Sequence, residues 1–147
     1  MMRSLDTREK VELLVGAACV ESTGFQPMTP PARDMAGEVF LAKARPRNTP
    51  LLKVLLSNAC QNDCAYCGTR ASASVRRCTL SPDELARSFD LMRRSGLVEG
   101  LFLSSGLCGD AVRTQDRLLD TVEIVRSRYQ FQGYVHLKVM PGATADQ

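Results

Sequence analysis

Leu51-Leu52-Lys53-Val54-Leu55-Leu56-Ser57 is a nearly continuous apolar run bounded by Pro50 and Asn58. A strand with one wet face would alternate apolar and polar residues, so an unbroken run of this length suits a strand buried on both faces, as in a parallel sheet. Parallel strands cannot be joined by a tight turn and need a long crossover, usually a helix. The sequence that follows supplies one. Ser81-Pro82-Asp83-Glu84 is a complete helix start: Ser81 can cap, Pro82 suits the first helical position, and Glu84 can reach back to the cap. Leu85, Phe89 and Met92 form its apolar stripe and Gly96 ends it. A second strand is predicted over Leu101-Phe102-Leu103-Ser104-Ser105-Gly106. A helix is predicted from about Thr114 to Tyr129, with Leu118, Val122, Val125 and Tyr129 on one face. A third strand, Tyr134 to Met140, ends at Pro141-Gly142. Strand, helix, strand, helix, strand is an α/β order with right-handed crossovers, and a site in such a fold belongs at the C-terminal strand ends.

Ahead of this unit, Asp6-Thr7-Arg8-Glu9 has capping-box form, and Val11, Leu14, Val15 and Ala18 recur at helical spacing. An amphipathic opening helix is expected, beside the sheet or over it. Ser22 to Asn48 reads as loop, with Pro27, Pro30, Pro31 and Pro46, broken by a short strand at Glu38 to Ala42. Residues 1–50 are thus an N-terminal extension and 51–147 an incomplete core domain. Thr144-Ala145-Asp146-Gln147 again has capping-box form with no helix after it. Three parallel strands without a closing partner give the expectation of a fragment truncated after about the third strand. Apolar content of 44% and charge of 24% suit a globular domain. The apolar Val11–Val20 stretch is interrupted by Glu12 and preceded by Asp6 and Glu9, which does not suit a signal peptide. With no run near the ~18 apolar residues of a membrane span, the expectation is a cytoplasmic protein without a membrane partner.

From the end of the first strand hangs Cys60-Gln61-Asn62-Asp63-Cys64-Ala65-Tyr66-Cys67. Thiols four and three residues apart let one short loop wrap three sulfurs around a single inorganic core, and thiolates are the soft ligands that iron–sulfur clusters select. With six cysteines in 147 residues, this spacing arises by chance on the order of one per cent of the time. Three thiolates on a four-iron cluster leave one iron open, a place for chemistry. Two other readings stand beside this one. Disulfides are rare in a reducing cytosol. A zinc-stabilised nucleic-acid-binding module without catalysis would need Cys78 or Cys108 as fourth ligand, although no second close-spaced Cys or His pair exists. Cys19, Cys78 and Cys108 otherwise read as small buried hydrophobes.

The Cys60-x3-Cys64-x2-Cys67 motif, with Tyr66 before its last cysteine, resembles the signature of the radical S-adenosylmethionine enzymes. That resemblance implies a partial TIM-like (βα) barrel, of which the chain covers the first three units, from about Leu51 to Gly142. It implies a 4Fe-4S cluster held by Cys60, Cys64 and Cys67, with S-adenosylmethionine chelating the open iron. Reductive cleavage to a 5′-deoxyadenosyl radical and a low-potential electron donor of flavodoxin or ferredoxin type are further implications.

Cofactor contacts are implied at matching positions. Where the family carries a Gly-Gly-Glu-type turn for the methionyl amino group, this chain has Ser104-Ser105-Gly106, which permits close backbone approach but offers no carboxylate. Tyr66 corresponds to an aromatic near the adenine. On the third strand, alternation puts Val135, Leu137 and Val139 on one side and His136 and Lys138 on the other. Lys138 could then pair with the cofactor carboxylate and His136 meet substrate or cofactor; a solvated edge-strand face is the alternative. Arg70, Arg76 and Arg77 follow the cysteines and Lys43, Arg45 and Arg47 precede them, with little aromatic interleaving for stacking bases. The stretches LLKVLLSNACQNDCAYCGTR, GLFLSSGL and GYVHLKVMPGA are similar to a radical S-adenosylmethionine subfamily described as DNA modification or repair proteins. A nucleic-acid substrate is an expectation from that resemblance alone.

Overall fold

The computed structural model describes residues 4–19, 39–42 and 47–147. The element order is α1 (Thr7–Cys19), β1 (Val39–Ala42), β2 (Thr49–Leu55), α2 (Pro82–Arg94), β3 (Gly100–Ser104), α3 (Ala111–Ser127) and β4 (Tyr134–Leu137). One four-stranded sheet has the order β1-β2-β3-β4. β2, β3 and β4 run parallel, each joined to the next by a helix, as the apolar runs predict. β1 pairs antiparallel with β2 from Val39↔Leu52 to Ala42↔Thr49. That pairing extends β2 upstream to Thr49, and Pro50 sits opposite Leu41. Among the described residues the result is α/β with a three-stranded parallel sheet and three helices, compatible with a partial βα fold.

The buried face follows from strand alternation. Leu52 and Val54 on β2 and Leu101 and Leu103 on β3 are almost fully buried, with Val135 and Leu137 of β4 packed beside them. α2 contributes Leu85 and Phe89, and α3 contributes Leu118 and Val125. Residues of the other parity form a row across the sheet, because Lys53 pairs with Phe102 and Phe102 with His136. The Phe102 and His136 rings stack at 4.4 Å and 5°, and the Lys53 ammonium lies 5.5 Å from the Phe102 centroid. α1 packs against β2 and is tied to α2 by a Lys10–Glu84 salt bridge of 3.0 Å.

The helix ends show which signals are local. Asp6 and Glu9 exchange backbone-to-side-chain hydrogen bonds ahead of α1, as the capping-box pattern predicts. Both halves of the Ser81/Glu84 box form on α2. After α2, Gly96 takes φ 77°, a left-handed conformation that stops the helix. α3 starts at Ala111, three residues before the expected Thr114, because the Asp110 carboxylate accepts from the Val112 N–H and caps it there. β4 ends at Leu137 rather than Met140. Beyond it the Lys138 N–H still donates to the Leu103 carbonyl, but the Met140 N–H turns to the Gln115 side chain of α3. Val139, expected to face the helices with Val135 and Leu137, is consequently 71% exposed. Most of the proline-rich loop expected over Ser22–Asn48 lies outside the described residues.

Candidate functional site

The cysteine loop begins where β2 ends. Ser57 and Asn58 continue the strand direction into a small antiparallel bridge, Ser57↔Thr79, that brings the far end of the loop back beside its start. Asn58, 1% exposed, fixes this neck: its amide donates to the Arg76 carbonyl and its side-chain oxygen accepts from the Cys78 N–H. Between these anchors the chain makes its own turns. The Cys67 N–H donates to the Cys64 carbonyl at 3.0 Å, the Ala71 N–H to the Asn62 carbonyl at 2.8 Å, and Asp63 accepts from Ser72 through both backbone and hydroxyl. Those two bonds hold the Asp63 carboxyl below its usual range. Polar residues at Asn62, Asp63 and Ser72 thus replace the strand ladder the loop has left.

The loop after β3 leans directly on it. The Gly106 N–H donates to the Ser57 carbonyl at 2.6 Å, and the Gln61 N–H to the Leu107 carbonyl at 2.7 Å. The Gln61 side chain also accepts from the Gly109 N–H. Glycine is required at 106 because a Cβ there would stand 2.4 Å from the Ala59 carbonyl oxygen and 3.2 Å from the Cys60 Cβ.

A cavity of about 180 Å³ opens at these C-terminal strand ends. Cys60, Cys64 and Cys67 line it together with Tyr66, Gly106 and Lys138. Tyr66 is 77% exposed at the rim, so it is not a packing residue. Ser105 also reaches the lining, its hydroxyl donating to the Gly106 carbonyl. Ser104 does not line the cavity; it is fully buried, and its carbonyl accepts from the Leu56 N–H within the sheet. Lys138 arrives on the extension of β4, while His136 remains two residues earlier, on the Phe102 ring and hydrogen-bonded to the Tyr134 hydroxyl.

Cysteine environments differ. Cys60 and Cys67 are half-buried and Cys64 exposed, all three as free thiols, and the Cys67 sulfur lies 3.3 Å from the Thr69 hydroxyl. Among the described residues, no three His, Cys, Asp or Glu side chains converge on a single metal ion. Cys78 belongs elsewhere. It lines a separate open hollow of about 550 Å³ with Lys10 and Arg76, and burial pushes its thiol above the usual value against the pull of those two cations. Cys108 is exposed and outside the cavity lining. The expected buried, inert reading therefore fits Cys78 better than Cys108.

Among the described residues, two members of the basic flank, Arg47 and Arg77, are engaged within the chain. Lys43 and Arg45 lie outside the described residues. Arg47 forms a two-pronged pair with Glu99, both contacts at 2.8 Å, which raises the arginine and lowers the glutamate from their usual values. Arg77 turns inward onto main-chain carbonyls. The sequence groups it with the other basic residues that follow the cysteines, and no local signal sets it apart.

Fold and site together define an α/β protein with a three-thiol loop at the C-terminal end of a parallel sheet. Among curated proteins, a segment of 51 residues is 43% identical to 2-iminoacetate synthase of Salmonella typhimurium. The match covers 35% of this chain and 13% of that protein. No family model matches the chain. No solved structure matches it either. A DNA modification or repair likeness finds no support in these comparisons. Among the described residues no helix is long and apolar enough to cross a membrane.

Proposed function

We propose that this chain carries the cluster-binding part of a radical S-adenosylmethionine enzyme, with Cys60, Cys64 and Cys67 as thiolate ligands of a 4Fe-4S cluster. The observation that carries the reading is the meeting of those three thiols with Tyr66, Gly106 and Lys138 around one cavity at the strand ends. The local likeness to 2-iminoacetate synthase supports the same class at superfamily level. The donor set fits the group. A polynuclear cluster takes one thiolate at each of several separate irons, and three thiols lining one cavity suit that demand. Bound there, cluster and S-adenosylmethionine would supply one-electron reductive cleavage of the cofactor's sulfonium bond.

The chain's own part is binding and orientation. Ser105 and Gly106 present backbone at the cavity wall, and the Ser105 hydroxyl oxygen keeps acceptor capacity for an ammonium group. Lys138 brings a cation suited to a carboxylate, and Tyr66 at the rim offers a ring beside an adenine. A low-potential flavodoxin or ferredoxin as donor follows from the same reading, and nucleic acid stays the proposed substrate class.

Anaerobic reconstitution with iron and sulfide tests this. The expected product is a four-iron cluster whose electron paramagnetic resonance signal, after reduction, changes when S-adenosylmethionine is added. Cys60→Ala, Cys64→Ala and Cys67→Ala should each abolish cofactor cleavage. Full cleavage in any one of them, or stoichiometric zinc in place of iron, would sink the proposal.

A further inference from the structure

The guanidinium of Arg77 makes four hydrogen bonds, each to a main-chain carbonyl: Nη1 donates to Asn58 and Thr69 at 2.6 Å each, and Nη2 to Arg70 at 2.6 Å and Ala73 at 3.0 Å. Asn58 stands two residues before Cys60, and Thr69 two residues after Cys67. One side chain therefore joins the entry and the exit of the segment that holds all three thiols. We propose that Arg77 is the positioning residue of the cysteine loop, closing its neck so that the thiols are arranged before any metal arrives.

A loop that leaves a sheet must satisfy its carbonyls, and here four of them, at part-buried positions, converge on one side chain at the neck. A planar guanidinium presents several N–H donors in a rigid fork, so one residue can serve all four at once. Hydrogen bonds to a charged donor are also stronger than those between neutral groups. Lysine has three donors on a flexible stem and a single charged point, and cannot span the same set. The neighbouring arginine follows another logic. Arg70 donates to the Cys67 carbonyl at 3.2 Å and to the Ser72 hydroxyl, bracing the exit of the loop without reaching its entry. Arg77 reaches carbonyls on both sides of the cysteines.

Loop geometry makes this inference independent of the ligand, while its consequence for iron rests on the cluster reading. Two variants of the full chain, Arg77→Met and Arg77→Lys, separate the two. Hydrogen exchange on the metal-free proteins reads the loop directly through the Cys67, Arg70, Ala71 and Ala73 amides, which are bonded inside it. In Arg77→Met these should exchange about tenfold faster or more, with β3 and α3 unchanged, and Arg77→Lys should recover only part of the protection. Wild-type protection at those amides in either folded variant overturns the clamp, whether or not the protein ever binds iron. If Arg77→Met does not fold, Arg77→Lys decides alone on the same criterion. Reconstitution then reads the consequence: a loosened loop should take up less iron and give a broadened or three-iron resonance at unchanged overall fold. A variant with a loosened loop but wild-type iron content and spectrum would overturn the role toward the cluster. Failure of the wild type itself to bind a cluster would overturn the cluster reading and leave the exchange result standing.

Discussion

A methyl group on Gly106 would have to share space with the Ala59 carbonyl, whose oxygen lies 2.4 Å from where that Cβ would stand. Backbone cannot swing aside as a flexible side chain can, so the β3 loop or the cysteine loop would have to move. Gly106→Ala should therefore cost about 1–3 kcal/mol, read as a lower denaturant midpoint, and should displace the entry to Cys60. An unchanged midpoint and unchanged thiol reactivity would show that the two loops are not in register as described. The three-cysteine loop itself was legible because residue type and spacing are local properties of a sequence. What Gly106 and Arg77 do was not. One is defined by a neighbour 47 positions away in space only, and the other by carbonyls whose convergence depends on the path of the loop.

At the scale of elements, the start of α2 shows a charge with a stated pH dependence. Backbone bonding from Ser81 is the main reason the Glu84 carboxyl titrates below its usual range, with Lys10 adding to it and burial opposing. A depressed carboxyl stabilises the fold above its unfolded value, about 4.3, and that contribution fades as pH falls through the lower folded value. Glu84→Gln should thus be less stable than wild type by about 1 kcal/mol at neutral pH, and the gap should narrow below pH about 4. Chemical denaturation at pH 7 and pH 3 checks both signs; an equal gap at the two would show that charge plays no part. This helix was legible to its first residue, since Ser-Pro-Asp-Glu names its own cap. α3 was found but placed late, because apolar periodicity marks a helix's middle and Asp110 marks its beginning. The third strand was read too long, since alternation over Tyr134–Met140 continues in the sequence after the ladder has stopped.

Across the whole molecule, the cavity has three walls, each held differently. The β2 end is held by the cysteine-loop neck, and the β3 end by Gly106 and Leu107 bonding back to it. The third wall, Lys138 to Pro141, keeps one bond to the sheet, from the Lys138 N–H to the Leu103 carbonyl, and is then tied to α3 by the Gln115 side chain, 1% exposed, accepting from the Met140 N–H at 2.9 Å. Met140 is itself buried at 6% exposure, so its N–H has little water to turn to. Gln115→Met keeps length and volume but removes the acceptor, and leaving a buried N–H unpaired costs about 1–3 kcal/mol. The expected outcome is a fold with its sheet intact, stability lowered by that amount, and faster hydrogen exchange at Met140 than at the amides of β2 and β3. Lys138 adjoins the loosened segment, so under the proposed function S-adenosylmethionine affinity in the reconstituted protein should fall, while iron content stays at the wild-type level. Loss of iron with affinity would place Gln115 in the support of the cysteine loop instead. Retention of both would show that the third wall holds its position through the packing of Met140 and the Lys138–Leu103 bond.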